Sequence, residues 1–132
     1  MLQTVNLASE GLRRFDSYTT HHMNTKDFGT LGEIKAMAYY AELGYEILVP
    51  MGDRRKYDFV IEKDGELIRV QVKCTTVKEV DLRTTGGRKV KTAKKYVEGD
   101  FDELCVVKII DGVTSFFVFD GAEMAGRRSV TV

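Results

Sequence analysis

An Asp-Gly pair, Asp64-Gly65, lies between two runs rich in β-branched and aromatic residues, Tyr57 to Lys63 and Glu66 to Lys73. Asp-Gly supplies the two positive-φ positions of a tight two-residue turn, so the stretch predicts a β-hairpin. If Lys63 faces Glu66 across that turn, paired positions sum to a constant. Asp58 then falls opposite Gln71, with Lys73 two residues further along. Side chains alternate across a strand, so Gln71 and Lys73 share one face with Leu67, while Ile68, Val70 and Val72 point the other way into a core. An acid, a carboxamide and an amine are thus expected on one side of a hairpin whose other side is apolar.

The rest of the chain supplies elements for that hairpin to pack against. Helical spacing of Phe28, Leu31, Ile34, Ala38 and Ala41, with Met37 beside them, predicts a helix from Lys26 to Leu43. Asn24 or Thr25 can cap its start, Asp27 suits the positive end of its dipole, and Gly44 suits a left-handed C-terminal cap. Glu33 borders the apolar stripe on a rung with Met37 and Tyr40; it is either a solvated rim residue or one that reaches the sheet. A short strand is expected from Tyr45 to Pro50, followed by a loop from Met51 to Lys56. A second hairpin is expected from Asp102–Ile110 and Val113–Phe119 around Asp111-Gly112, then a helical turn from Asp120 to Ala125 and a frayed tail. The order helix, strand, hairpin, loop, hairpin predicts an α/β (α+β) domain with a mixed sheet of about five strands and the long N-terminal helix on it. Residues 25–132 are read as that domain and residues 1–24 as an arm or short helix, centred on Leu7, Leu12 and Phe15, from Leu7 to Asp16. The neighbouring His21 and His22 lack a third ligand nearby and are read as solvated.

At 132 residues the chain is long enough for one buried core. The absence of a long apolar run argues against a membrane span or secretion signal, and Cys74 and Cys105 lack CxxC spacing, so the expected setting is a reducing cytoplasm. Twenty basic and twenty acidic residues cancel, so a nucleic-acid partner is indicated only by local charge. Arg54, Arg55 and Lys56 abut the hairpin. From Thr75 to Val97 the chain is expected to lose its strand pattern, and from Arg83 to Val97 it carries Arg83, Arg88, Lys89, Lys91, Lys94 and Lys95 and no acid. Such a stretch either follows a DNA backbone or is a solvated loop.

On the hairpin, a carboxylate from Asp58, the carboxamide of Gln71, the backbone carbonyl of Val72 and a carboxylate from Glu33 would make an all-oxygen donor set suited to a hard divalent cation. Lys73 beside them would stabilise the added negative charge of a phosphoryl transition state. Taken alone, Gln71 and Lys73 would equally suit the outer face of a half-exposed strand.

Asp58, then Gln71-Val72-Lys73 across a hairpin, preceded by a helix bearing Gly32-Glu33, resembles the PD-(D/E)XK nuclease superfamily, and Gln71 in place of an acid is similar to its small homing endonucleases encoded in group I introns. The resemblance covers roughly Lys26 to Phe119 and implies a restriction-endonuclease-like fold. It also implies a Mg²⁺-dependent DNA endonuclease, with Mn²⁺ able to substitute. Asp58 and Glu33 would then be metal ligands, Gln71 an auxiliary ligand or orienter, and Lys73 the catalytic cation. Double-stranded or branched DNA would be the substrate, and a homodimer or homotetramer the working form, because one small domain offers one site and a double-strand cut needs two. Two alternatives stand beside this: a Holliday junction resolvase, and a catalytically silent DNA-binding module made plausible by Gln71.

Overall fold

The computed structural model describes residues 23–84 and 93–132. The helix expected from Leu7 to Asp16, and His21 and His22, lie outside those residues. Helix α1 spans Thr25–Glu42; Asn24 caps it by accepting the Asp27 amide on its side chain at 2.8 Å, and Gly44 follows the C-terminal end at φ +96°. Strands β1 (Glu46–Leu48), β2 (Phe59–Lys63), β3 (Glu66–Thr75), β7 (Glu103–Ile110) and β8 (Val113–Asp120) form a five-stranded sheet in the order β1-β2-β3-β7-β8. Both Asp-Gly turns have the expected positive φ, 54° and 84° at Asp64-Gly65 and 52° and 76° at Asp111-Gly112. They set the registers Lys63↔Glu66 and Ile110↔Val113. The two hairpins are joined by a parallel pairing of β3 with β7, from Val70↔Glu103 to Thr75↔Lys108. Arg69 and Asp102 fasten the start of that pairing: the guanidinium donates to both carboxylate oxygens at 3.0 and 2.9 Å, and the Arg69 amide donates to Asp102 Oδ2 at 2.9 Å.

Strand alternation divides the apolar residues between two faces. On one face α1 covers Phe59, Ile61, Val70, Val72, Cys105, Val107 and Ile109. The helix buries Gly32, Ala36 and Tyr40, with Phe28, Leu31 and Met37 of the expected stripe packed beside them, while Ile34, Ala38 and Ala41 of that stripe are exposed. Around its middle the small Gly32 and Ala36 let the helix backbone approach the sheet. A Cβ on Gly32 would lie 2.6 Å from Cys74 Cβ and 2.8 Å from its Sγ.

The other face carries a second core of Leu104, Val106, Val80, Leu82, Tyr96, Phe101, Met124 and Val130. It is built largely from the region expected to lack strands. Here the chain forms β4 (Glu79–Asp81), β5 (Arg83–Thr84) and β6 (Lys94–Lys95), with β5 pairing β6. After the expected helical turn, α2 (Gly121–Met124), the tail is not frayed: β9 (Ser129–Thr131) pairs β4 and buries Val130. These strands have too few residues to show alternation in sequence, yet β4 and β9 each place one apolar side chain, Val80 and Val130, under the sheet. Leu67, at the turn end of the hairpin, is beyond this layer and exposed, whereas Gln71 and Lys73 on the same face are half-buried beneath it.

Candidate active site

The β2–β3 ladder runs in the expected register but stops at Phe59↔Val70, one pair short of Asp58 and Gln71. There the Asp58 amide donates to the Val70 carbonyl at 2.8 Å, and its carboxylate accepts the Val72 amide at 2.7 Å. Asp58 therefore engages the backbone of β3 rather than the Gln71 side chain, and replaces the strand partner that Val72 has lost. The amide and carbonyl of one strand residue point to the same side, so the Val72 carbonyl opens toward the gap beyond β2. The Gln71 carboxamide turns to it and donates from Nε2 at 3.2 Å.

Glu33 reaches this place from α1, through the close approach of Gly32 to β3. Burial raises its pKa above the ordinary carboxylate value, and the Asp58 charge raises it further. Burial also raises the Asp58 pKa, against the lowering effects of the Val72 amide and the Lys73 charge. Lys73 completes the group from β3. Its ammonium donates to the Arg83 carbonyl at 3.3 Å, lies 5.5 Å from the Tyr96 ring centroid, and has a pKa lowered by burial, with the charges of Asp81 and Asp58 opposing that shift.

Two half-buried acids that repel each other, beside a backbone carbonyl and a carboxamide, are a donor set that a hard divalent cation would relieve. Among the described residues no three His, Cys, Asp or Glu side chains converge on one point; the acids here are two, Glu33 and Asp58. Because Asp58 and Glu33 hold their protons more tightly in the folded chain than in the unfolded one, the stability they contribute is full below the ordinary carboxylate range. It is lost as pH rises through the raised values. Mg²⁺ or Mn²⁺ held by this pair is therefore expected to raise the melting temperature more at about pH 8 than at about pH 4, because the two carboxylates lose their protons as pH rises. Thermal denaturation with and without the cation at both pH values checks this; equal shifts would place the ion elsewhere.

The expected DNA-facing cations fall into three sets. Arg54, Arg55 and Lys56 are exposed between β1 and β2, just before Asp58, and Lys94 and Lys95 are exposed on β6. Arg83 is engaged by Asp81, to which its side chain donates at 2.7 and 3.0 Å, and this guanidinium holds the Asp81 carboxyl down to about 2. Arg88, Lys89 and Lys91 lie outside the described residues. Sequence reasoning missed Arg128, which joins Glu79, Asp81, Arg83 and Ser129 around a surface cleft of about 280 Å³. It also missed Tyr96, whose pKa is pushed up to about 12 by burial and the nearby Asp58 charge. An aromatic residue directly after two lysines was the available signal for Tyr96.

Glu33 of α1, Asp58 just before β2 and Lys73 of the central strand β3 thus come within electrostatic reach of one another on a five-stranded mixed sheet. Residues 23–129 match the PD-(D/E)XK endonuclease family, and the chain belongs to it. The chain is similar to Protein 5.3 of Escherichia phage T7, at 32% identity over 108 residues that cover 79% of this chain and 86% of that protein. Among solved structures it is similar to a bacterial homing endonuclease, I-Ssp6803I, with a TM-score of 0.69 and 27% identity, covering 83% of this chain and 78% of that one.

Proposed function

We propose that the protein is a Mg²⁺-dependent DNA endonuclease of the homing type. The observation that carries this reading is the convergence of Glu33, Asp58 and Lys73, each electrostatically linked to its neighbour, at the end of β2. Asp58 and Glu33 would hold the cation, with the Val72 carbonyl and the Gln71 carboxamide beside them. The ion, when bound, would polarise the scissile phosphoryl group and make water more acidic. Asp58 is fixed for this by the Val72 amide, which orients the carboxylate that remains to be shared. Lys73 brings a positive charge to the developing negative charge of the transition state, and its burial keeps that charge poorly screened. Arg54, Arg55, Lys56, Lys94, Lys95 and Arg128 are exposed or cleft-lining cations suited to the DNA backbone, and binding through them would weaken with salt. A homodimer or homotetramer would bring two such sites to one duplex.

Cleavage of supercoiled plasmid and of a four-way junction, with Mg²⁺ or EDTA, tests the reading. Mg²⁺-dependent cutting at a preferred duplex site supports it; cutting confined to the junction without sequence preference would replace it with a Holliday junction resolvase. A second reading, a silent DNA-binding module, is favoured by one contact: the Gln71 amide donating to the carbonyl a cation would use. Salt-sensitive binding without cutting would select it. The variant Gln71→Glu adds a third carboxylate and removes that donor, so Mg²⁺ affinity measured by calorimetry is expected to rise about tenfold. An unchanged affinity would remove Gln71 from the cation site.

A further inference from the structure

The catalytic role given to Lys73 requires its ammonium to stay at the end of a flexible four-carbon stem, and β3 alone cannot hold it there. The paired strands β5 and β6 supply the missing constraint. Arg83 of β5 accepts the ammonium on its carbonyl, and Tyr96, the residue after β6, presents its ring to the same ammonium. Neither group is free to move. The Arg83 amide donates to Asp81 Oδ1 at 2.8 Å while its guanidinium grips the same carboxylate. Tyr96 is 3% exposed, shares a hydrogen bond with Thr84, and packs edge-on to Phe101 at 5.0 Å between centroids and 80° between planes.

We propose that Tyr96 is a positioning residue for Lys73, its ring and the Arg83 carbonyl together fixing the ammonium beside Asp58. The role rests on the nuclease reading above. An ammonium held near a ring face gains electrostatically without surrendering a proton, and the ring, unlike a carboxylate, leaves the full positive charge available to a phosphate. Tyr96 is too deeply buried to touch DNA. Its contribution therefore belongs to the rate of the bound complex and not to DNA affinity.

Single-turnover cleavage at saturating DNA, together with the Kd for the same duplex, separates the two. Tyr96→Leu is expected to lower the saturating rate roughly 10- to 100-fold with Kd within about twofold of the parent, since small displacements of a reacting group cost that much. Tyr96→Phe, which keeps the ring, should stay within about threefold of the parent rate. Phe101→Leu damages the same core without touching Lys73; compared below both melting temperatures, it should retain most of the rate. If Tyr96→Leu does not fold, Tyr96→Met, whose flexible side chain fills irregular core space, carries the same expectation. Tyr96→Leu or Tyr96→Met no slower than Phe101→Leu, or with a loss that lies wholly in Kd, overturns the role while leaving the nuclease reading intact. A parent protein that cuts no DNA overturns both.

Discussion

Lys73→Ala is expected to lower the DNA cleavage rate about 10³-fold while changing DNA affinity less than about tenfold, because removal of one preorganised charge from a phosphoryl site has effects of that order. Asp58→Asn should cost at least as much in rate, for a different reason. Asparagine can still accept the Val72 amide, so the local fold survives, but one of the two acids facing the cation site loses its charge. The pair of variants is therefore diagnostic. Asp58→Asn should also abolish most of the cation-dependent gain in melting temperature, whereas Lys73→Ala should leave that gain in place or enlarge it, since it removes a neighbouring positive charge. Cleavage that continues unchanged in both variants would mean that the chemistry lies elsewhere.

Gly32→Ala is the second large effect, and it acts through packing. The added methyl group would fall 2.6 Å from Cys74 Cβ, so the helix or β3 must shift. Overpacking of this kind costs about 1–3 kcal/mol, which for a domain of this size lowers the melting temperature by roughly 5 to 15 °C. The shift also carries the adjacent Glu33 away from Asp58, so cleavage below the new melting temperature should fall as well. Gly29 provides the comparison, since a Cβ there meets nothing within 4 Å. Gly29→Ala should stabilise the helix by up to about 1 kcal/mol through propensity alone. Equal melting temperatures for Gly32→Ala and the parent protein would show that the close approach of α1 to β3 is not required.

The same glycine explains what was readable in the sequence and what was not. Turn chemistry is local, so Asp64-Gly65 and Asp111-Gly112 announced both hairpins and their registers. Helix ends were equally plain, since Asn24 and Gly44 act on the backbone next to them. The buried face of α1 was readable in part: Phe28, Leu31 and Met37 pack on the core as expected, but hydropathy counts apolar size, whereas this interface also selects Gly32 and Ala36 for nearness and leaves Ile34 outside. Glu33 borders the apolar stripe and is half-buried within electrostatic reach of Asp58. The parallel joining of β3 to β7 and the second layer of β4, β5, β6 and β9 depend on contacts between distant segments, and strands of two or three residues leave no period to detect. Tyr96 was hidden for that reason: its function comes from the fold of a stretch whose composition signals only charge.

The crossover from β3 to β7 has a consequence for how such a protein diversifies. Parallel neighbours need a long connection, commonly a helix packed along the sheet, whose length the packing then fixes. Here the described part of the connection is anchored by two short pairings, β4 with β9 and β5 with β6, and the basic residues cluster between the members of the second. Lengthening a connection between fixed ends costs little, about 0.6 kcal/mol for each doubling. Insertions between Thr84 and Lys94 can therefore accumulate while Asp58, Val72 and Lys73 stay where the hairpin puts them.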